Sequence, residues 1–257
     1  MSTPEESRSR RARPLPLQPK AKTYVLVHGA WHGGWCWRDV AAILRGNGHR
    51  VTTPTLTGLG ERRHLLTAGI TLDTFVADII NHIEAEELED VILVGHSHAG
   101  AVITGVADRI AEHIRHLAYL DATILETGRT AFSLLAPETA ASRRKLVVEQ
   151  GGGIFIPVPD LSTFGIPLAH PLADWVRRQL TPHPVGTYES TLTLAHPIGN
   201  GRPCTYIACT APLYAPMESS RAWVKRQTGW TWLDLASGHD AMILVPAELA
   251  TLLDGIG

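Results

Sequence analysis

Cysteine is scarce in this chain: 3 residues in 257, at Cys36, Cys204 and Cys209, an odd number without a metal-ligand spacing. That excludes a disulfide-built secreted scaffold and points to reduced core thiols in a cytoplasmic protein. No apolar run approaches the length of a bilayer span, so no membrane-crossing segment is expected. An excess of one charge is also missing. With 23 basic against 25 acidic side chains the formal net charge is −2, which offers nucleic acid or an anionic membrane little to hold. Internal repeats are absent, and the helical zinc pair H-E-x-x-H does not occur. The remainder is 44% hydrophobic and 19% charged, ordinary for a soluble enzyme, in a chain that suits one α/β domain.

One segment is compositionally biased. Arg8, Arg10, Arg11 and Arg13 sit among serines and prolines near the start. The Arg10-Arg11 pair suggests a twin-arginine export signal, but PLPLQPKAK lacks the apolar stretch that such a signal needs. Residues 1–22 are therefore expected to be a disordered basic tail.

From Thr23 onward strands alternate with helices. Tyr24 to Val27, Arg50 to Leu56, VILV at Val91 to Val94, HLAYLDA, CTYIACT and WTWLDLA read as six strands. WCWRDVAAILRGNG and TLDTFVADIINHIEAEEL read as helices, the second with Leu72, Phe75, Val76, Ile79, Ile80 and Ile83 on one face. The fold class expected is α/β, a mostly parallel six-stranded doubly wound sheet with helices on both faces. Between about 124 and 202 this rhythm breaks into glycine- and proline-rich stretches with short helical pieces. Phe132, Leu134, Leu135, Phe155, Ile156, Phe164 and Trp175 argue against full solvation, so this insertion is expected to be a packed cap.

The chemistry concentrates in VILVGHSHAG, Val91 to Gly100. A buried strand runs into a turn with Ser97 at its apex, and helical spacing resumes behind it. This is the layout of a nucleophile elbow, in which a strained serine stands above the sheet between small residues, here Gly95 and Ala99. Serine needs a base, an orienting acid and donors for an oxyanion. The base expected is His239 in LASGHDAM, on a turn after the last strand. The oxyanion donors expected are the backbone N–H groups of Ala30, after the first strand, and of His98, after the serine. His28, His32 and His96 are read as loop-tying residues. His98 is also placed near the substrate, and Trp31 is expected at the pocket mouth.

VLVHGAWHGGWCW, GHSHAG and GHDAM together resemble the α/β-hydrolase superfamily, in the branch of plant methylesterases, hydroxynitrile lyases and related bacterial carboxylesterases. The resemblance runs from about Thr23 to the end and implies an α/β-hydrolase core with a cap after the fourth strand. Two departures separate the chain from the lyases, which carry a threonine where Gly29 stands and a lysine where Asp240 stands. Without that cation the departure of cyanide has no partner, so ester hydrolysis is the reaction implied. The plant enzymes hold the triad acid after the penultimate strand, and that position is Pro212 here. Asp121 in YLDA, at the end of the strand beside the elbow strand, is the substitute expected. Glu218 and Asp234 remain as rivals.

The function expected is cofactor-independent hydrolysis of a small, moderately hydrophobic carboxylic ester through an acyl-enzyme on Ser97. A weakly catalytic or non-catalytic small-molecule binding protein on the same fold, a lactone hydrolase and a carbon–carbon bond hydrolase are the alternatives. Metal-dependent hydrolysis by the gathered histidines has no supporting ligand spacing.

Overall fold

The computed structural model describes residues 21–257. The expected tail, up to residue 20, lies outside the described residues. Lys22, assigned to that tail from composition, is tied down: its ammonium donates to the carbonyl oxygens of Asp254 (2.6 Å) and Ile256 (2.9 Å).

Eight strands are present among the described residues: β1 (Thr23–Val27), β2 (Arg50–Thr52), β3 (Val91–His96), β4 (Ile114–Leu120), β5 (Phe155–Ile156), β6 (His183–Pro184), β7 (Cys204–Cys209) and β8 (Trp230–Leu235). Six of them form one sheet, ordered β2-β1-β3-β4-β7-β8 and parallel throughout. β2 is shorter than its apolar pattern suggested, ending before Pro54, which has no N–H to continue a ladder.

Side chains alternate across the sheet. On β1, Tyr24 and Leu26 face the layer of α1 (Arg38–Gly46), α8 (Ala241–Leu244) and α9 (Pro246–Asp254), which contributes Val40, Leu44, Leu249 and Leu253. Val25 and Val27 face the opposite layer of α2 (Leu72–Ala85) and α3 (Ala99–Arg109), with Phe75, Val76, Ile79, Ile83 and Val102. Of the face read on α2, only Ile80 stays partly exposed. Strands covered on both faces account for the continuous apolar runs of β1 and β3. All three cysteines are buried and free. Among the described residues no helix is long and apolar enough to cross a membrane.

Between β4 and β7 the chain leaves the sheet and folds back over its carboxyl edge. This segment holds α4 (Pro137–Glu149), α5 (Ala173–Gln179), α6 (Gly186–Glu189) and the antiparallel pair β5·β6. It is packed: Phe132, Ile156, Phe164, Val176 and Tyr188 are buried and join the core of the α1 face. Thr181 N–H donates to the Trp31 carbonyl (2.9 Å), which fastens the segment to the loop after β1.

Register sets the site. His96 on β3 pairs with Leu120 on β4, so the next residues, Ser97 and Asp121, leave adjacent strands at the same level. The strand order reverses between β1 and β3, and it is outside the carboxyl ends at such a switch point that open α/β sheets bind ligands. The turn from β3 into α3 is held by close packing. A Cβ on Gly95 would lie 2.8 Å from the Ala99 carbonyl oxygen, and one on Gly100 would overlap the backbone at Thr123. In this turn the tightest demand therefore falls on Gly100. In an open helix, Gly→Ala stabilises by about 1 kcal/mol. Here the sign reverses, and Gly100→Ala is expected to destabilise by about 1–3 kcal/mol, the cost of overpacking. A denaturant midpoint equal to or above that of the parent would contradict this.

Candidate active site

Ser97 sits at the apex of the β3–α3 turn with φ 55°. Two other site residues share this left-handed backbone, Trp31 (φ 65°) and Asp121 (φ 39°). Such conformations cost a non-glycine residue of order 1–3 kcal/mol and cluster where geometry serves function. The Ser97 turn is braced by its own backbone. Ser97 N–H donates to Leu120 O (3.1 Å), and Ser97 O accepts from Thr123 N–H (2.8 Å).

Three side chains form one line of hydrogen bonds. Asp121 Oδ2 lies 2.7 Å from His239 Nδ1, and His239 Nε2 lies 2.8 Å from Ser97 Oγ. A carboxylate only accepts, so Nδ1 carries a hydrogen and Nε2 is left to accept the Ser97 hydroxyl proton. All three residues are buried, Ser97 at 8% exposure, Asp121 at 0% and His239 at 2%. Asp121 Oδ1 accepts from Arg221 Nη1 (3.1 Å), and Arg221 in α7 (Glu218–Val224) is itself buried. The rival acids are elsewhere. The Glu218 carboxylate is 74% exposed and bonds Arg221 Nη2 at 3.2 Å, and Asp234 lies within β8, bonded to Trp232 Nε1.

The loop after β1 runs against the serine. A Cβ at Gly29 would lie 2.8 Å from Ser97 Cβ, so glycine is needed for that approach. Among the described residues neither the Ala30 N–H nor the His98 N–H has a protein acceptor, which leaves both amides beside Ser97 unengaged. Trp31 stands deeper than expected. It is 3% exposed, donates Nε1–H to Ile156 O (3.2 Å) and lies near Phe164 and His183, because the segment between β4 and β7 folds over it. His98 stacks on Tyr188 (centroids 4.4 Å apart, 4° between planes), and Tyr214 packs over His239 at 4.0 Å.

The remaining histidines tie loops, as read from the sequence. His28 Nε2 accepts from Leu56 N–H (3.1 Å), and His96 Nε2–H donates to the His239 carbonyl (3.0 Å). His32 bonds the Ala30 carbonyl through Nδ1 (2.7 Å) and Asp240 Oδ2 through Nε2 (3.0 Å). Burial opposes a charge on His32, but the adjacent Asp240 outweighs it and the His32 pKa is raised. Asp240 thereby links the loop after β8 to the loop after β1. His96, His239 and Asp240 have potential ligand atoms within 4.8 Å of one another, yet both His239 nitrogens are already committed to Ser97 and Asp121.

Sequence reasoning missed Arg221, Tyr214, Tyr188, His183 and Arg143. None lies in a motif, and only the fold-back of the β4–β7 segment, of the loop after β7 and of α7 brings them together. The Asp240 partnership was visible in part, since the residue follows the expected base.

With the fold and the site established, comparison places the chain in a class. A family model described as the alpha/beta hydrolase family matches residues 24–252, and the chain belongs to that family. It is accordingly a hydrolase. More particularly, it is 43% identical over 242 residues to a carbendazim hydrolyzing esterase of Nocardioides sp., covering 91% of this chain and 99% of that protein. It is 35% identical over 107 residues to methylesterase 9 of Arabidopsis thaliana, covering 41% of this chain and 42% of the plant protein. Among solved structures, an extracellular alpha/beta-hydrolase from a Paenibacillus species superposes with a TM-score of 0.78 at 24% identity, covering 92% and 99% of the two chains.

The buried histidines make an acid-stability prediction. Burial lowers the pKa of His28 and of His98 to about 3, the latter helped by Arg143, and takes His96 and His183 well below the ordinary value. The unfolded chain then binds more protons than the folded one once pH falls under about 6.5. Each such histidine removes about 1.4 kcal/mol per pH unit below that value, until its folded pKa is reached. His32 acts in the opposite sense: its contribution is full below about 6.5 and is lost as pH rises through its raised pKa. The unfolding free energy is expected to fall by several kcal/mol between pH 7 and pH 5, read as a lower denaturant midpoint. A midpoint constant over that range would show that these rings are not held neutral.

Proposed function

We propose that the protein is a cofactor-independent serine ester hydrolase that works through an acyl-enzyme. The observation carrying this reading is the unbroken line Asp121–His239–Ser97, with contacts of 2.7 and 2.8 Å. Ser97 Oγ attacks the ester carbonyl as His239 Nε2 takes its proton. Asp121, fixed by Arg221, holds the imidazole and stabilises the imidazolium that forms. The unengaged amides of Ala30 and His98 receive the oxyanion, a contribution of about 10²–10³ in rate per donor. His239 then protonates the departing alcohol, and water entering by the same route releases the acid.

The aromatic wall of Trp31, Phe132, Tyr188 and Tyr214 suits a small, moderately hydrophobic ester. Ester cleavage also agrees with the names of the Nocardioides and Arabidopsis relatives. The segment of about 124–202 serves as the cap that keeps bulk water from the acyl-enzyme. The three buried free thiols fit a reducing, cytoplasmic setting.

Ser97→Ala is expected to lower turnover of short aryl esters by about 10⁶ with the fold intact. Asp121→Asn is expected to cost about 10⁴, since the amide favours the wrong imidazole tautomer. Glu218→Gln should cost far less than either. Steady-state hydrolysis beside thermal melting reads all three, and a Ser97→Ala protein at parental activity would defeat the assignment. A collapse of turnover in Glu218→Gln with Asp121→Asn unaffected would move the acid.

A further inference from the structure

Two arginines lie at this site, and they differ in how their charge is answered. Arg221 is met by Asp121 and Glu218. Arg143, half-buried on α4, has no carboxylate partner among the described residues. Its guanidinium sits 5.4 Å from the Trp31 ring and 5.6 Å from the Tyr188 ring, and Nη2 donates to Tyr214 Oη at 3.3 Å. Those same tyrosines lie on the two residues that flank the reaction: Tyr188 stacks on His98, and Tyr214 packs over His239. The cation is therefore one aromatic ring removed from both the proposed oxyanion donor and the proposed base.

Aromatic faces attract a cation but do not neutralise it, and a guanidinium withdrawn from water without a counter-charge is costly. The group has five N–H donors in a flat fork shaped for a carboxylate. A groove of about 420 Å³, whose lining includes Leu134, Leu135, Thr139, Ala215, Pro216 and Glu218, opens beside the chain neighbours of this pair. Thr139 lies one helical turn before Arg143, and Ala215 follows Tyr214.

We propose that Arg143 receives a carboxylate carried by the substrate, so that the preferred esters are half-esters of dicarboxylic acids. This rests on the ester-hydrolase reading above and narrows it: the ester carbonyl is held at Ser97 and the second, ionised carboxylate reaches the cap. The aromatic wall takes up the methylenes between them. No bond is made or broken at Arg143. It is a specificity residue, and the acyl transfer is unchanged.

The test compares monomethyl succinate, glutarate and adipate with methyl butanoate, pentanoate and hexanoate, their uncharged counterparts of equal length. Specificity constants are measured for the parent, Arg143→Gln, Arg143→Lys and Ser97→Ala proteins, each checked for a native melting transition. The parent is expected to prefer the charged ester about tenfold or more at one chain length, because the fork is fixed in distance from Ser97. Arg143→Gln should reduce that preference about ten- to hundredfold, the worth of a charge-assisted hydrogen bond, and abolish the length optimum. Arg143→Lys should keep part of it, since it supplies charge without the fork. Equal slowing of charged and neutral esters in Arg143→Gln would make Arg143 a cap fastener and overturn the proposal. So would a parent enzyme indifferent to charge at every length, while leaving ester hydrolysis standing. If the parent cleaves none of the six esters faster than Ser97→Ala, the ester reading itself falls.

Discussion

Between β3 and β4 the ladder aligns His96 with Leu120, and both chains then leave the sheet through left-handed residues, Ser97 and Asp121. Their separation is set by the spacing of two hydrogen-bonded parallel strands and not by a loop. The imidazole of His239 needs only to descend between them from the loop after β8. That descent is fixed twice, by His96 Nε2–H on the His239 carbonyl and by the Asp240–His32 pair on the next residue. Glycine at 29 and at 100 then lets the β1 loop and the β4 exit close upon the serine. Each of these contacts presupposes the alignment; a slip of one residue between β3 and β4 would turn one of the two side chains to the opposite face.

Electrostatics at the site are divided between two kinds of imidazole. His28, His96, His98 and His183 are kept neutral by burial, and they act as hydrogen-bonding or stacking elements around the serine. His32 is the exception: burial opposes its charge, but Asp240 lying against it raises its pKa. One buried His–Asp contact thus joins the loop after β1 to the loop after β8. Removing either partner would leave the other's polar group unsatisfied in the core, which is destabilising.

How much of this was legible in the sequence follows from what local pattern can encode. The six strands, the elbow at Ser97 and the turn before His239 were readable because each is a local signal, an apolar run or a turn chemistry. Six parallel strands and the family followed from them. Asp121 was reachable only through chain order and strand adjacency, after Pro212 had removed the usual position. Arg221, Tyr214 and Arg143 were out of reach. Their roles come from contacts over 71 to 100 residues of separation, and nothing in their own neighbourhoods distinguishes them from surface residues. Trp31 shows the other failure: it was expected at a pocket mouth but is 3% exposed, a depth that depends on the packing of the segment between β4 and β7, which has no simple period.

Seating the proposed acid at the end of β4 has an effect on the loop that follows β7. In an enzyme whose carboxylate rides on that loop, every change of length or composition there risks the imidazole. Here residues 210–217 hold no such carboxylate and reach it only through a main-chain brace: the Tyr214 carbonyl accepts from Arg221 Nη2 (3.0 Å), while Arg221 Nη1 holds Asp121. The loop is instead free to lend an aromatic face, Tyr214, to the ceiling over His239. Side-chain changes in this stretch can therefore retune which molecules are accepted as long as its main chain keeps its bond to Arg221, making it a segment where descendants of this chain can diverge at low catalytic risk.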